Sequence, residues 1–449
     1  MDADGGNQRR HVNGSFSFGN VRLQGDGKQI VFVDGGRLKT VSAERGGNPT
    51  EVDWRAEIQR DDRRVQKEAF RQGWALLDEQ FYHQPLHHRD WEAIYETYAP
   101  FCEGALERED LHHLMSRMTG ELDASHLGAY GGGPDRSGPP TACLGITPDP
   151  SHRGPGVRVA EVMPGSPADK PNSKLAVGEF ILTLDGEAVN NNERFHELLN
   201  GRVGERVKLT VNAEPKAEGA REVSIKPISW GDYGGLRYEE WVRENRRMVE
   251  RLSDGKVYYA HIAGMNNESL DRFKREVNGE AQRHEALLID VRNNGGGYTH
   301  DSILEMLTRQ VHGWTARRGA PLRSSPNPQF DGPKAVLINE NSASDAEIFP
   351  NGFREKGLGP LIGMPTNGAV IGTYDVTLVN GSRFRVPVAG WFTRDGVNLE
   401  NMGVKPDFEV PFPYEAHRDG RDPQIRKAVE VLLDRLSKGG RVQPPEVEH

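Results

Sequence analysis

The feature that most narrows the fold is an apolar run that empties straight into glycines. Ala286-Leu287-Leu288-Ile289 is too short for a core helix and too continuous for a one-sided strand, so it reads as a strand buried on both faces. It runs into Asp290-Val291-Arg292-Asn293-Asn294-Gly295-Gly296-Gly297. Glycines in that place let the backbone take positive φ and turn N–H groups outward, which is how main chain alone holds an anion or an oxyanion. The rival, a phosphate loop, is disfavoured because no Gly-Lys-[Ser/Thr] follows and no Gly-x-Gly-x-x-Gly is present. Val257–Ile262 and a charged helical stretch over 268–283 precede the run, giving a β-α-β unit and an α/β core. A second run, Ala335-Val336-Leu337-Ile338, ends in Asn339-Glu340-Asn341-Ser342-Ala343-Ser344-Asp345-Ala346-Glu347-Ile348-Phe349. A small-residue turn opening a helix can seat a nucleophilic hydroxyl, because the helix N-terminus and the next N–H stabilise developing negative charge. Taken alone, Ser-Ala-Ser-Asp reads more simply as a helix cap.

The 449 residues allow about three domains at roughly 150 residues each. Residues 1–50 read as alternating strands (Ser15–Phe18, Gln29–Val33, Arg37–Val41), an antiparallel unit of four strands at most, too small to stand alone. Residues 51–133 take a helical period through Trp74, Leu77 and Phe81, then Trp91, Ile94 and Tyr98, then Leu111, Leu114 and Met118. Trp54, Trp74 and Trp91 are read as core. Glycines and prolines crowd Gly131–Pro140 and mark a linker. Residues 134–230 show short strands, one helix near Phe195–Leu199, and the segments ACLGI, EVMPGSPADK and LAVGEFILTLDGEAV. These resemble a PDZ domain, whose strand edge and free backbone N–H groups, here at Leu144, Gly145 and Ile146, suit an extended peptide. Residues 231–449 form the α/β part with a C-terminal helix, and Arg246–Arg251 reads as a solvated, charged linker helix. The fold class expected is therefore a multidomain α+β chain: a small antiparallel β unit, a helical domain, a PDZ-like domain and an α/β, crotonase-like core.

Composition trims the possible functions. A net charge of −9 argues against nucleic acid as a partner. No run approaches the roughly 18 to 20 apolar residues of a membrane span, and the first residues lack a signal peptide's apolar region, so a cytoplasmic protein is expected. Cys102 and Cys143 are the only cysteines and lack Cys-x-x-Cys spacing, which excludes a disulfide framework and a cysteine zinc site. His83, His87 and His88 surround a proline and belong to no His-Glu-x-x-His helix, so they read as a solvated loop. His112 and His113 are adjacent on a helix and point apart. No metal or organic cofactor is expected.

The order DVRNNGGG then NSASDAEIF, after a PDZ-like insert, resembles the tail-specific or C-terminal-processing serine peptidases. The resemblance makes Ser344 the nucleophile and the N–H groups of Gly297 and Asp345 the oxyanion donors. In the bacterial processing enzymes a lysine about 25 residues downstream activates the serine. Here position 369 is Ala369 and no lysine lies between Lys356 and Lys405. The other route needs an imidazole oriented by a carboxylate or hydroxyl. Gly120-Glu121-Leu122-Asp123-Ala124-Ser125-His126-Leu127-Gly128 and Asp395–Asp407 resemble the corresponding segments of the tricorn-type peptidases. Carried over, His126 is the general base, Ser125 an orienting group and Glu400 the carboxylate of the relay.

The resemblance runs from about residue 15 to 420. It implies a serine peptidase acting on peptides or unfolded polypeptides, assembled as a homo-oligomer, trimeric or hexameric, and makes the strand-rich start the last blade of a propeller whose other blades are absent. It also places specificity between the glycine loop and the nucleophile, where Met306–Phe330 holds no Asp or Glu but does hold Arg309, Arg317, Arg318 and Arg323. A cation in the specificity pocket would then find no partner, so apolar or acidic side chains are expected there. Two rival readings are a non-catalytic peptide-binding scaffold with a decayed core and a small-ligand carrier. Retention of all four catalytic residue types argues against the first, and the Ser125-His126 pair against the second.

Overall fold

The computed structural model describes residue 12 and residues 18–54, 61–131, 138–191 and 193–447. Ser15–Ser17 of the expected first strand, and residues 132–137 of the expected linker, lie outside them. The chain forms two compact units that divide at Asp62. In the first, β1 (Phe18–Leu23), β2 (Gln29–Asp34), β3 (Arg37–Ser42) and β4 (Thr50–Glu51) make one antiparallel sheet in sequential order, with Phe32 and Val41 buried. Trp54 is 65% exposed rather than core, because it follows β4 in non-helical chain and shares no helical period with Trp74.

The second unit opens with α1 (Asp62–Gln80), α2 (Trp91–Tyr98) and α3 (Arg108–Gly120), packed around Phe70, Leu77, Met115 and Met118. Trp74 and Trp91 lock α1 to α2 reciprocally: each indole N–H donates to the other's carbonyl, at 3.0 and 3.1 Å. A short strand, β5 (Gly128–Tyr130), follows. Next come β6 (Ile146–Pro148), β7 (Val157–Val162), β8 (Phe180–Leu184), β9 (Glu187–Ala188), the short α4 (Glu193–Glu197), β10 (Val207–Asn212) and β11 (Arg221–Ile225). They form an antiparallel sheet ordered β11-β10-β8-β7-β6, with β9 hairpinned onto β8. Val157, Ile181, Leu209, Val211 and Phe195 fill its core.

Then α5 (Trp230–Ser253), β12 (Val257–His261), α6 (Asn267–Asn278), β13 (Ala286–Asp290), α7 (His300–Leu307), the hairpin β14 (Gly313–Arg317) and β15 (Ala320–Ser325), and β16 (Lys334–Ile338) follow in order. The chain continues through α8 (Asp345–Glu355), β17 (Leu361–Gly363), β18 (Ile371–Thr377), β19 (Arg383–Gly390), β20 (Phe408–Glu409), α9 (Tyr414–Arg418) and α10 (Pro423–Lys438). Strands β12-β13-β16-β17-β20 make a parallel sheet. Its residues alternate between two cores. Leu287, Ile289, Val336 and Ile338 meet residues of α6, α7 and α8, while Leu288, Ala335 and Leu337 meet α5 and α10. Both faces are covered, which is why the strand sequences are apolar throughout.

Two structural findings overturn sequence readings. Arg246–Arg251 is not a solvated linker: Val242 and Val249 of the same helix are buried on the sheet, and Arg246 Nε donates to Tyr259 O at 3.1 Å while its guanidinium pairs with Glu276. The Arg246 guanidinium lies over the Tyr258 ring and finds partners, while Arg247, Glu250 and Arg251 stay exposed, a division that charge counting misses. The helical segment is also not a closed domain. Its core takes in Phe384 and Val386 of β19, and β19 pairs with both β18 and β5.

Candidate active site

The turn that carries Ser344, the expected nucleophile, is built by the α/β core alone. Where β16 ends, Ser342 Oγ donates to Val291 O at 2.9 Å and Ala343 N donates to Asn294 O at 2.9 Å, stitching this turn to the one after β13. Asn294 is fully buried; its Nδ2 donates to Ile262 O and its Oδ1 accepts from Gly296 N. Ser344 then sits at φ 57°, ψ −121° just before α8. A non-glycine residue there carries strain on the order of 1–3 kcal/mol, kept only where surroundings enforce it. The glycines permit the fit. A Cβ on Gly296 would lie 2.7 Å from Ser344 Cβ, and one on Gly297 would lie 2.0 Å from Met265 O. Met265 N donates to Gly296 O and Tyr298 N to Met265 O, so the N–H of Gly297 is passed over. The N–H groups of Gly297 and Asp345 have no partner among the described residues. Arg292, at the head of the same loop, pairs with Asp290 and Asp422 and fastens the loop to the start of α10.

The relay side comes from segments far apart in sequence. Ser125 N donates to Glu400 Oε1 at 2.6 Å, and Ser125 Oγ donates to Glu400 Oε2 at 3.0 Å. Having given its proton to Glu400, the Ser125 oxygen must accept from His126 Nδ1, 2.8 Å away. That fixes the neutral ring as the Nδ1–H tautomer and leaves Nε2 as the basic nitrogen. Burial pulls the His126 pKa below the ordinary imidazole value; the Glu400 charge opposes this and Arg385 adds to it. Ser344 Oγ and His126 are not hydrogen-bonded to each other. Such contacts commonly close only with substrate bound.

A buried carboxylate that sequence reading passed over joins the two sides. Glu347 is fully buried and accepts from Ser344 N at 3.0 Å, Gly368 N at 2.7 Å, Ala369 N at 2.8 Å and Thr366 Oγ1 at 2.5 Å. The next N–H, of Val370, donates to Glu400 at 2.7 Å. Residues 368–370 thus hang between α8 and Glu400. Burial pushes the Glu347 pKa up, against these hydrogen bonds. The signal was available, since Ser344-Asp345-Ala346-Glu347 is a capping-box pattern. The Asp345 side chain was missed too. It accepts from Thr299 N at 2.7 Å and His300 N at 3.1 Å and pairs with His300 Nδ1, whose pKa it raises. The residues just after Gly297 are clamped to the residue just after Ser344.

The other expected positions are placed as follows. Leu144 and Ile146 are buried in the core of the β6–β11 sheet, and Gly145 takes φ 86°. Beside them lies a cavity of about 30 Å³, lined by Phe195 of α4 and Trp230 among others, room for about one water. His87, expected in a solvated loop, is half-buried and hydrogen-bonded through both ring nitrogens, to Leu122 O and Tyr82 OH. His112 bonds Ser382 Oγ. Among the described residues, no three His, Cys, Asp or Glu side chains gather as a metal site, and no helix is long and apolar enough to cross a membrane.

Comparison with known proteins fits this architecture part by part. Residues 256–410, which carry the glycine loop, the nucleophile turn and Glu400, match the family model Peptidase family S41 and define a peptidase core of that class. Residues 63–120 match the Tricorn protease C1 domain and residues 157–229 the Tricorn protease PDZ domain. The chain belongs to the tricorn branch of that family. It is 30% identical over 444 residues to Tricorn protease homolog 1 of Streptomyces coelicolor, covering 95% of this chain and 41% of the relative. It is 32% identical over 428 residues to the Putative Tricorn-like protease C-terminal subunit of Sulfurisphaera tokodaii, covering 91% and 49%. The crystal structure of the tricorn protease superposes with a TM-score of 0.81 at 26% identity, over 93% of this chain and 41% of that one. The chain therefore spans less than half the length of each of these relatives.

Proposed function

We propose that this chain is a serine peptidase that hydrolyses peptides or unfolded polypeptides through Ser344, His126, Ser125 and Glu400. The observation that carries the reading is the hydrogen-bonded chain Glu400–Ser125–His126, whose polarity leaves His126 Nε2 as a base, together with two unpartnered N–H groups flanking a strained serine. Ser344 Oγ attacks the substrate carbonyl carbon and passes its proton to His126 Nε2. The carbonyl oxygen, now negative, is taken by the Gly297 and Asp345 N–H groups. The imidazolium is stabilised through Ser125 by Glu400, then protonates the leaving amine, and water repeats the sequence on the acyl-enzyme. Residues 51–133 and 231–449 act as two catalytic subdomains around a PDZ-like domain at 134–230, with 1–50 a blade-like unit. Leu144, Gly145 and Ile146 receive peptide only after the groove opens. The protein works without a cofactor as a cytoplasmic homo-oligomer, trimeric or hexameric; light scattering that returns a stable monomer would remove that last element.

Fluorophosphonate labelling with peptide mapping tests the reading. An adduct on Ser344, lost in Ser344→Ala, is the expected result. Folded protein that takes no label at Ser344 would mean a scaffold rather than an enzyme.

A further inference from the structure

Outside the relay lies a second line of hydrogen bonds, anchored in a strained turn. Leu86, His87 and His88 are three consecutive non-glycine residues in the left-handed region, at φ 47°, 52° and 62°. Left-handed backbone brings Cβ too close to the following carbonyl oxygen in L-residues, so a run of three calls for a reason. The turn buries Leu86 and presents the His87 ring between two polar atoms: Nδ1 lies 2.7 Å from Leu122 O, and Nε2 lies 2.8 Å from Tyr82 OH. A carbonyl can only accept, so His87 donates from Nδ1 and its Nε2 must accept the Tyr82 proton. The Tyr82 oxygen is then left to accept, and Asn398 Nδ2 donates to it at 3.3 Å. Asn398 Oδ1 in turn accepts from Glu400 N at 3.1 Å. Every donor and acceptor along this line is assigned without conflict.

Both ends of the line fall on the relay. Leu122 lies in the turn that carries Ser125 and His126, and that turn is tied again to the Glu400 loop by Asn401 Nδ2 donating to Asp123 O at 2.8 Å. Tyr82 itself is fixed from a third side: its N donates to Pro387 O at 3.0 Å, and its ring packs where a Cβ on Gly390 would lie 2.5 Å from it. We propose that Tyr82 and His87 are positioning residues of the acid–base relay, holding the 122–126 turn and the 398–401 loop at the separation that lets Glu400 reach Ser125. The proposal rests on the peptidase reading above, and neither residue touches the reacting atoms. The strained turn is kept because it presents the His87 ring with a donor toward Leu122 O and an acceptor toward Tyr82 OH.

The test uses the full chain with Tyr82→Phe, His87→Ala and His87→Gln, following peptide hydrolysis across pH, labelling of Ser344 and thermal melting. The groups that act on His126 are Glu400, which raises its pKa, and Arg385, which lowers it. Letting Glu400 drift removes the raising influence, so the acid limb of kcat/KM should move to lower pH. Tyr82→Phe and His87→Ala should lower kcat by about tenfold with KM within about twofold. His87→Gln, which keeps one donor and one acceptor, should recover most of the loss. Tyr82→Phe that melts normally and leaves kcat and the acid limb unmoved overturns the proposal. So does a loss of activity that merely follows a loss of folded protein, with the limb in place. An unsubstituted chain that fails to label at Ser344 removes the peptidase reading and this proposal together, whereas normal labelling with an indifferent Tyr82→Phe removes this one alone.

Discussion

The two halves of the candidate site are put together in different ways. The nucleophile half lies within one parallel sheet: the loop after β13 and the turn after β16 are neighbours because their strands pair, and Ser342 Oγ on Val291 O and Ala343 N on Asn294 O fasten the one to the other. The relay half joins residues about 275 positions apart, Ser125 and Glu400, through a sheet in which β5 borrows its partner from β19. A strand pair that is already buried positions a serine with little further ordering. A histidine on a turn at the edge of a helical cluster needs outside bracing, and the bracing found is Glu400, residues 368–370 and the Asn398–Tyr82–His87 line. The difference teaches that the nucleophile should tolerate damage far from it, while the base should not.

The largest effect expected is from removing the chemistry on either side. Ser344→Ala should abolish hydrolysis and His126→Ala should lower kcat by about 10⁴-fold or more, with the fold intact by circular dichroism. If His126→Ala keeps most of its activity, the relay half is not the base at all. Next comes Glu347→Gln. Each Glu347 oxygen accepts two donors, so an amide NH₂ meets N–H or O–H groups in either orientation. We expect about 3 kcal/mol lost in urea unfolding and a marked fall in activity; an unchanged midpoint would show that the two halves do not share this tie. Glu400→Gln should be milder, about 10²-fold in kcat with little change in KM, because an orienting group supplies only part of the effect. A loss as large as that of His126→Ala would place Glu400 in a more direct role.

Smaller still is substrate choice. The β14–β15 hairpin brings Arg317, Arg318 and Arg323 without a carboxylate of its own. Fluorogenic libraries should favour apolar or acidic residues over Lys or Arg at the cleaved position by about tenfold, the factor matching 1.4 kcal/mol. A preference for Lys or Arg would point to a carboxylate from elsewhere. The smallest effect is in pH. With its pKa lowered by burial, His126 stays neutral and basic below the ordinary imidazole value of about 6.5, and activity is lost only as pH falls through the depressed value. His300 runs the other way. Its pKa is raised by Asp345, so the stability of that pair is fully present at low pH and is lost as pH rises through the raised value. Melting curves of His300→Ala and the parent should therefore converge on the alkaline side; a constant gap across pH would detach the clamp from His300 ionisation.

In the nucleophile half the fold is legible because its information is local. Ala286–Gly297 and Ala335–Phe349 each spell a buried strand, a turn of small residues and, for the second, a helix start, but that Ser344 should act as a nucleophile is read from resemblance. In the relay half the resemblance supplies the meeting of the segments as well. Nothing in Ser125-His126 or Leu399-Glu400 shows from composition or period that they meet, and the capping pattern that includes Glu347 does not by itself show that its carboxylate reaches residues 366–369. Trp54 and the Arg246–Arg251 face were misread for one reason: burial of an aromatic or an arginine depends on what lies across from it, which spacing along one segment does not report.

By itself, then, the sequence determined the buried strands at Ala286–Ile289 and Ala335–Ile338, the glycines after the first, the small-residue turn that opens a helix after the second and the absence of a lysine at Ala369. Only the tertiary structure decided that β5 pairs with β19, that Glu347 and Glu400 divide the N–H groups of residues 368–370 between them, and that His87 carries its proton on Nδ1. The physical reason is range. Backbone conformation and strand burial are set by neighbours in sequence, whereas a hydrogen bond's partner, and with it the polarity of every link in the relay, is set by whichever group the packing brings within about 3 Å.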